Sequence, residues 1–483
     1  MKTQTHSCPI AGRRAIGTYG ESIETNARVF ALSLGMTVSA LLLVSCGVPT
    51  SARETKTPPP LGAFAFVDVN VVPMDSERIV RGQTVIVEGR KILAVGPVAT
   101  VLVRENVTRI EGHGSLYLMP GLADMHSHAD QEDDLTLYVA NGVTTILTLG
   151  GTSRQFVRET RNRINSGEII GPTAYAARVL DGPPAPRAVR GEDEARQVVH
   201  EAKAAGYDLI KVYNDLGKKE FYATVDEARR QQMAVVGHAV RSVELKDALN
   251  AGQVLVVHGE EYIYMYFHKS RDPALAASAA KFTREAGAYV IPNLSAYEAI
   301  ALQWGKPKQV QAFLERPEAR YLRPCLRQHW TEGADYKNRA GSLDGNLEFL
   351  RLFTRALSDV HVPLMFGTDS PPIPGMYPGY SIRDDLRNMR EAGLTPYQAL
   401  SAGTRVPGEF IGRFVRNSDP FGTVGPGSRA DLLLLAHNPL DSTDNVRKPL
   451  GVMAAGHWMT AGFLHAVLED YAMEYRNAGC TSE

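Results

Sequence analysis

The chain has 483 residues, 44% hydrophobic and 22% charged, with 52 Lys and Arg against 53 Asp and Glu for a formal charge of −1. This is ordinary globular composition, and the balance excludes the basic footprint of a nucleic-acid binder and a polybasic membrane surface. The length admits one large barrel with a smaller satellite domain, and the body contains no apolar span of roughly 18 residues, which excludes an integral membrane protein.

In chain order, residues 1–45 read as a signal peptide. After Arg28 comes VFALSLGMTVSALLLVSCG, apolar and uncharged, with the dimensions of a secretory h-region. LVSCG is similar to the lipobox of bacterial lipoproteins. It implies lipidation of Cys46 and an exported, membrane-anchored protein in the periplasm or at the cell surface. Cleavage elsewhere, as an ordinary signal peptide, is the alternative. Arg13 and Arg14 are not directly followed by an apolar run, which argues against twin-arginine export. The long n-region leaves open a start codon downstream of Met1. Residues 46–61 are Pro-rich and polar, a tether.

Residues 62–119 alternate at period two in AFAFVDVNVV, TVIVEGRKILAVG and VTRIEG, with turn residues between, and predict a small antiparallel sheet. The texture returns over 416–465 in GTVGPGSRADLLLL and GVMAAGHWMT, ahead of a C-terminal helix or tail at 466–483. The two β segments predict one discontinuous β-sandwich. Between them, residues 120–415 alternate strand-like runs with helical stretches, the pattern of a parallel sheet. The eight runs are LADMHS, VTTILTLG, TAYAARV, LIKVYN, AVVGHA, VLVVHG, AYVIPN and PLMFGTD. Helices are expected at 154–167, 192–205, 218–232, 242–251 and 345–359. The fold class is α/β, a (β/α)₈ TIM-type barrel with right-handed crossovers. The longest connection, Leu294 to His361, predicts a lid or a specificity wall. Cys325 and Cys480 would remain after export, and the sequence leaves their pairing open.

Six side chains stand at or near the ends of these runs: His126, His128, Lys211, His238, His258 and Asp369. Strand ends of such a barrel converge on one mouth, so residues far apart in sequence form one polar cluster. Imidazole and carboxylate without thiolate suit zinc or a similar divalent ion. His126 and His128 are two apart on a strand end and point the same way. Lys211 lies between Ile210 and Val212, where an ammonium is costly unless paired or neutralised. It reads either as a barrel lysine salt-bridged to an acid or as one carboxylated by CO₂, whose two oxygens bridge two cations. Arg178, Tyr213, Tyr262 and Tyr297 are candidates for holding a substrate carboxylate.

PGLADMHSH, IKVYND, VVGHA, VVHG and FGTDS, with the closing GTVGPGSRADLLLL, resemble the amidohydrolase superfamily, close to its imidazolonepropionase-like and Xaa-Pro-dipeptidase-like branch. The resemblance covers about residues 63–463. It implies that His126, His128 and Asp369 bind one metal ion, that His238 and His258 bind a second, and that carboxylated Lys211 bridges them. It further implies hydrolysis by water shared between the two ions, with Asp369 as the base that takes the proton and the acid that returns it to the leaving amine. The expected substrate class is a small amide, a dipeptide or an N-acyl amino acid, with lactams, esters and phosphotriesters left open on the same metals. Two rivals stand beside this: a cyclic-amide or imidazolone hydrolase with one metal, and a non-catalytic cell-surface binding lipoprotein. A homo-oligomer is left open. One departure from the resemblance is the crowded HGEEYIYMYF after His258.

Overall fold

The computed structural model describes residues 56–150 and 152–480. The expected signal peptide, Cys46 and the start of the expected tether lie outside the described residues. Among the described residues no helix is long and apolar enough to cross a membrane.

Five strands precede the barrel: β1 (Ala63–Val71), β2 (Val80–Glu88), β3 (Lys91–Pro97), β4 (Thr108–Glu111) and β5 (Tyr117–Pro120). The barrel contributes β6 (Leu122–Ser127), β7 (Val143–Thr148), β8 (Thr173–Leu180), β9 (Leu209–Val212), β10 (Ala234–Gly237), β11 (Gln253–Val257) and β12 (Tyr289–Ile291). Three more follow it: β13 (Leu432–Leu435), β14 (Gly451–Ala454) and β15 (His457–Thr460). The N- and C-terminal strands form one discontinuous unit, as expected. They join where β13 runs antiparallel to β5, Leu433 opposite Met119. The resulting eight-stranded mixed sheet runs β15-β14-β13-β5-β1-β2-β3, with β4 beside β1.

The seven barrel strands are parallel in chain order from β6 to β12. The eighth run, PLMFGTD, forms no regular ladder. It is an extended segment making single bridges, Leu364 to β12 and Ser370 to β6. Backbone bonds Met365 N to Val290 O (3.0 Å), Met125 N to Phe366 O (2.9 Å) and Asp369 N to His126 O (2.7 Å) close the barrel through it.

Side-chain parity separates two cores. Ala123, Met125, Leu147, Ala177, Leu209, Val236 and Leu255 fill the barrel interior, joined by Phe410 and Ile411 of the helix Arg405–Phe414. Phe410 packs edge-on against Tyr289, the first residue of β12, so this helix plugs the N-terminal end of the barrel. The alternate residues, among them Ala176, Leu180, Ile210 and Val212, face the surrounding helices. The opposite, C-terminal rim is left to polar groups.

The Leu294–His361 excursion packs against the barrel as a wall. Trp330 is fully buried and donates to Pro371 O at 2.9 Å, and Arg323 pairs with buried Asp134 at 2.8 Å. Cys325 and Cys480 are disulfide-bonded, Cα atoms 4.4 Å apart, which ties the wall to the C-terminal segment.

Candidate metal centre

All six expected ligands gather at the C-terminal rim. His128 Nε2 is 2.8 Å and His126 Nε2 3.3 Å from Asp369 Oδ1, and His258 Nε2 is 4.0 Å from Asp369 Oδ2. The His258 ring lies 4.7 Å, centroid to centroid, from the rings of both His126 and His238. Lys211 Nζ stands 3.2 Å from His126 Nε2.

The backbone bends to make this possible. Val257 faces the barrel interior, so in a regular strand the next residue would face the helices. His258 instead has φ 74°, Asn293 φ 51° and Asp369 φ 57°, all in the left-handed region. Such non-glycine conformations are costly and collect where surrounding structure over-determines them. Glycine serves where strands crowd the ligands: a Cβ on Gly367 would fall 2.6 Å from His126 Cβ.

Partner groups fix the imidazoles. His126 Nδ1 meets Asn293 Oδ1 at 3.2 Å, and Asn293 donates to Gly367 O at 2.6 Å, bridging three strand ends. His238 Nδ1 is 2.7 Å from Glu261 Oε1, and Asn214 donates to the same carboxylate. With one nitrogen engaged, each ring presents the other to the centre. Buried Asp124 accepts from His126 N at 3.1 Å and Thr368 N at 3.0 Å, tying the first and last strand ends.

Burial drives His126 and His238 well below the imidazole range and His258 down to about 3. Burial pushes Asp369 the other way, but the imidazoles of His126 and His128 outweigh it and hold the carboxyl well below its usual range. Neutral imidazoles around an ionised carboxylate are the protonation states a divalent cation requires of its ligands. Burial also lowers Lys211 to about 8. Burial raises Glu261 to about 7 and Glu260 well above the carboxylate range. The ligand atoms of His126, His258 and Asp369 lie within 4.8 Å of one another, so a single cation can reach all three. The residues therefore fit a divalent metal.

The substrate candidates divide. Tyr213 lines the centre, stacked on His238 at 4.4 Å, with Lys211 Nζ 4.7 Å from its ring. Tyr297 is buried and accepts from Asn346 Nδ2 at 2.7 Å. Tyr262 is not at the mouth. It is 0% exposed, hydrogen-bonded to Thr283 at 2.9 Å and packed on Phe353. Arg178 also departs from expectation. Its register partner is outward-facing Ile210, whereas inward Lys211 pairs with Val179, so Arg178 belongs to the helix side of β8. Sequence reasoning missed Asn293, Glu260, Glu261 and Asp124. The acid pair Glu260–Glu261, one glycine beyond His258, was the visible signal. Tyr336, half-buried on the excursion and pushed up by burial and by Asp369 and Glu260 beside it, was also missed.

The amidohydrolase family profile matches residues 117–459. Among solved structures, a Xaa-Pro dipeptidase with methionine bound in its active site is 19% identical with a TM-score of 0.63, over 83% of this chain and 100% of that one. Bottromycin amidohydrolase is 21% identical with a TM-score of 0.68, covering 86% and 90%. The ochratoxinase of A. niger is 17% identical with a TM-score of 0.58, covering 83% and 96%. At these identities the likeness speaks to the fold alone. Comparison with curated protein sequences gave no match. With the profile spanning most of the chain and a cation-competent cluster at the barrel rim, the protein belongs to the amidohydrolase family and is a metal-dependent hydrolase of carbon–nitrogen bonds.

Proposed function

We propose that the protein cleaves the amide bond of a dipeptide or an N-acyl amino acid at a binuclear centre bridged by carboxylated Lys211. The observation that carries this is Lys211 itself. It is 0% exposed, faces the cluster and forms no ion pair among the described residues. A salt-bridged barrel lysine would show an acid in contact, and there is none. Carboxylation joins the free amine to CO₂ with loss of a proton, replacing an unpaired buried cation with an anion.

His126, His128 and Asp369 would hold one ion, His238 and His258 the other, with the Lys211 carbamate between them. Divalent ions, of which zinc best suits the donor set, supply an activated water and polarise the scissile carbonyl. Asp369 would take a proton from the attacking water and return it to the amide nitrogen, a poor leaving group unprotonated. Tyr213, stacked on His238, lines the wall beside the carbonyl. The similar solved proteins, a Xaa-Pro dipeptidase and an amidohydrolase, are in line with an amide substrate.

The compactness of the His126, His258 and Asp369 group favours a second reading, a one-metal centre acting on a cyclic amide. Metal analysis separates the two: close to two ions per chain supports the first, close to one the second. Turnover is tested by screening zinc-reconstituted protein, with bicarbonate present, against dipeptide and N-acyl amino acid libraries. Absence of hydrolysis across both libraries would overturn the proposal. We also infer that the protein is exported and anchored through Cys46. The Cys325–Cys480 disulfide supports export, because such bonds persist in oxidising compartments.

A further inference from the structure

Glu260 opens the helix Glu260–Met265 that leaves β11 and follows His258 by two positions. Its Oε1 stands 3.7 Å from His258 Nδ1, on the opposite side of the ring from the Nε2 that faces Asp369. Its Oε2 is buried without a hydrogen-bond partner. Among the described residues no Lys or Arg pairs with Glu260, and its charged neighbours Glu261 and Asp369 are both acids. Two phenols, Tyr297 and Tyr336, lie beside it. The side chain as a whole keeps 17% exposure, while Oε2 itself is buried.

A buried acceptor with no donor is unfavourable, and the large majority of such groups in native proteins are paired. Its acidic neighbours Glu261 and Asp369 supply no positive charge and would favour one arriving from outside. Building on the amide-hydrolase reading, we propose that Glu260, flanked by Tyr297 and Tyr336, is the subsite for a positively charged amine of the substrate. The substrate is then a dipeptide with a free amino terminus rather than an N-acyl amino acid. An α-ammonium lies two bonds, about 2.5 Å, from the scissile carbonyl carbon, and Glu260 is separated from Asp369 by the single imidazole ring of His258.

The test uses the full zinc-loaded protein and a panel of dipeptides, each beside its N-acetyl counterpart, with Nα-acetyl-lysyl dipeptides as a further arm because a lysine side chain offers the same ammonium. Free-amine dipeptides should show kcat/KM about 10- to 100-fold above their acetylated forms, the worth of one charge-assisted bond. The isosteric Glu260→Gln should collapse that ratio, chiefly through KM. Equal hydrolysis of free and acetylated forms by the wild type, or an unchanged ratio in Glu260→Gln, overturns the subsite. Preference for the Nα-acetyl-lysyl arm moves the amine to a side chain and overturns the free-terminus assignment. Hydrolysis of none of the compounds overturns the amide reading itself, a different and distinguishable failure.

Discussion

Lys211 Nζ lies 3.2 Å from the Nε2 of His126, inside the barrel and without a carboxylate in contact. An ammonium held against a ligand imidazole would repel the cation that the imidazole is placed to bind. Carboxylation removes that conflict, and burial, which lowers the amine to about 8, makes the reactive free base accessible near neutrality. Protein incubated with ¹³C-bicarbonate and zinc should therefore show one carbamate resonance, absent in Lys211→Ala, and the variant should bind fewer metal ions. A wild-type spectrum without that resonance would refute the carbamate.

Asp369 is the proton carrier of the proposed chemistry, and it also touches His126 and His128. Asp369→Asn should lower kcat by about 10²- to 10⁴-fold, the range of a lost general acid–base. Metal content must be measured alongside, so that lost proton transfer is separated from lost metal. Retention of more than a tenth of wild-type kcat would remove Asp369 from the mechanism.

Glu261 engages His238 Nδ1 at 2.7 Å and leaves the other ring nitrogen toward the centre. Glu261→Gln should weaken metal binding about 10- to 100-fold, as loss of a ligand's outer partner does elsewhere. Competition with a chelator reads this directly, without any substrate. Unchanged affinity would reduce Glu261 to a packing role.

Much of the site was legible because its chemistry is written in residue types. Histidine, lysine and aspartate at the ends of apolar runs are uncommon, and a barrel brings such ends together whatever their spacing. Direction was less legible. Arg178 and Lys211 both sit in strands, yet register turns one outward and the other inward, and a single sequence does not state parity near a strand end. Tyr262 was lost for a related reason: one helical turn carries it from the mouth into a cluster with Phe353. Asn293 gave no warning, since a lone amide after a strand is ordinary until its φ and its bonds to His126, Gly367 and His258 N are seen. The eighth strand was placed correctly, but its lack of a ladder was not foreseeable from PLMFGTD.

Asp385 offers a stability test away from the ligands. It is fully buried and accepts from Ser295 N and Oγ and from Gly367 N. Burial raises it to about 6 from 3.8. The fold then favours the protonated acid, so stability present below about pH 4 is lost as pH rises to about 6 and stays constant above. The amount is on the order of 3 kcal/mol. Urea denaturation of metal-free protein between these limits should show that slope in the wild type and a flatter one in Asp385→Asn. Parallel curves would disprove the linkage.

Export is tested separately. Cys46→Ser should move the protein from the membrane fraction to the soluble fraction, while the Cys325–Cys480 bond is retained. Unchanged fractionation would reject lipidation at that position.

The left-handed φ of His258, Asn293 and Asp369 has a consequence for how this rim tolerates substitution. Few residues other than glycine accept that conformation readily, and those that do are mainly asparagine, aspartate and histidine. Backbone geometry alone thus filters replacements at these corners toward side chains that can donate to a cation. The scaffold constrains the chemical alphabet of its own mouth, and drift there would more readily exchange one donor for another than erase it.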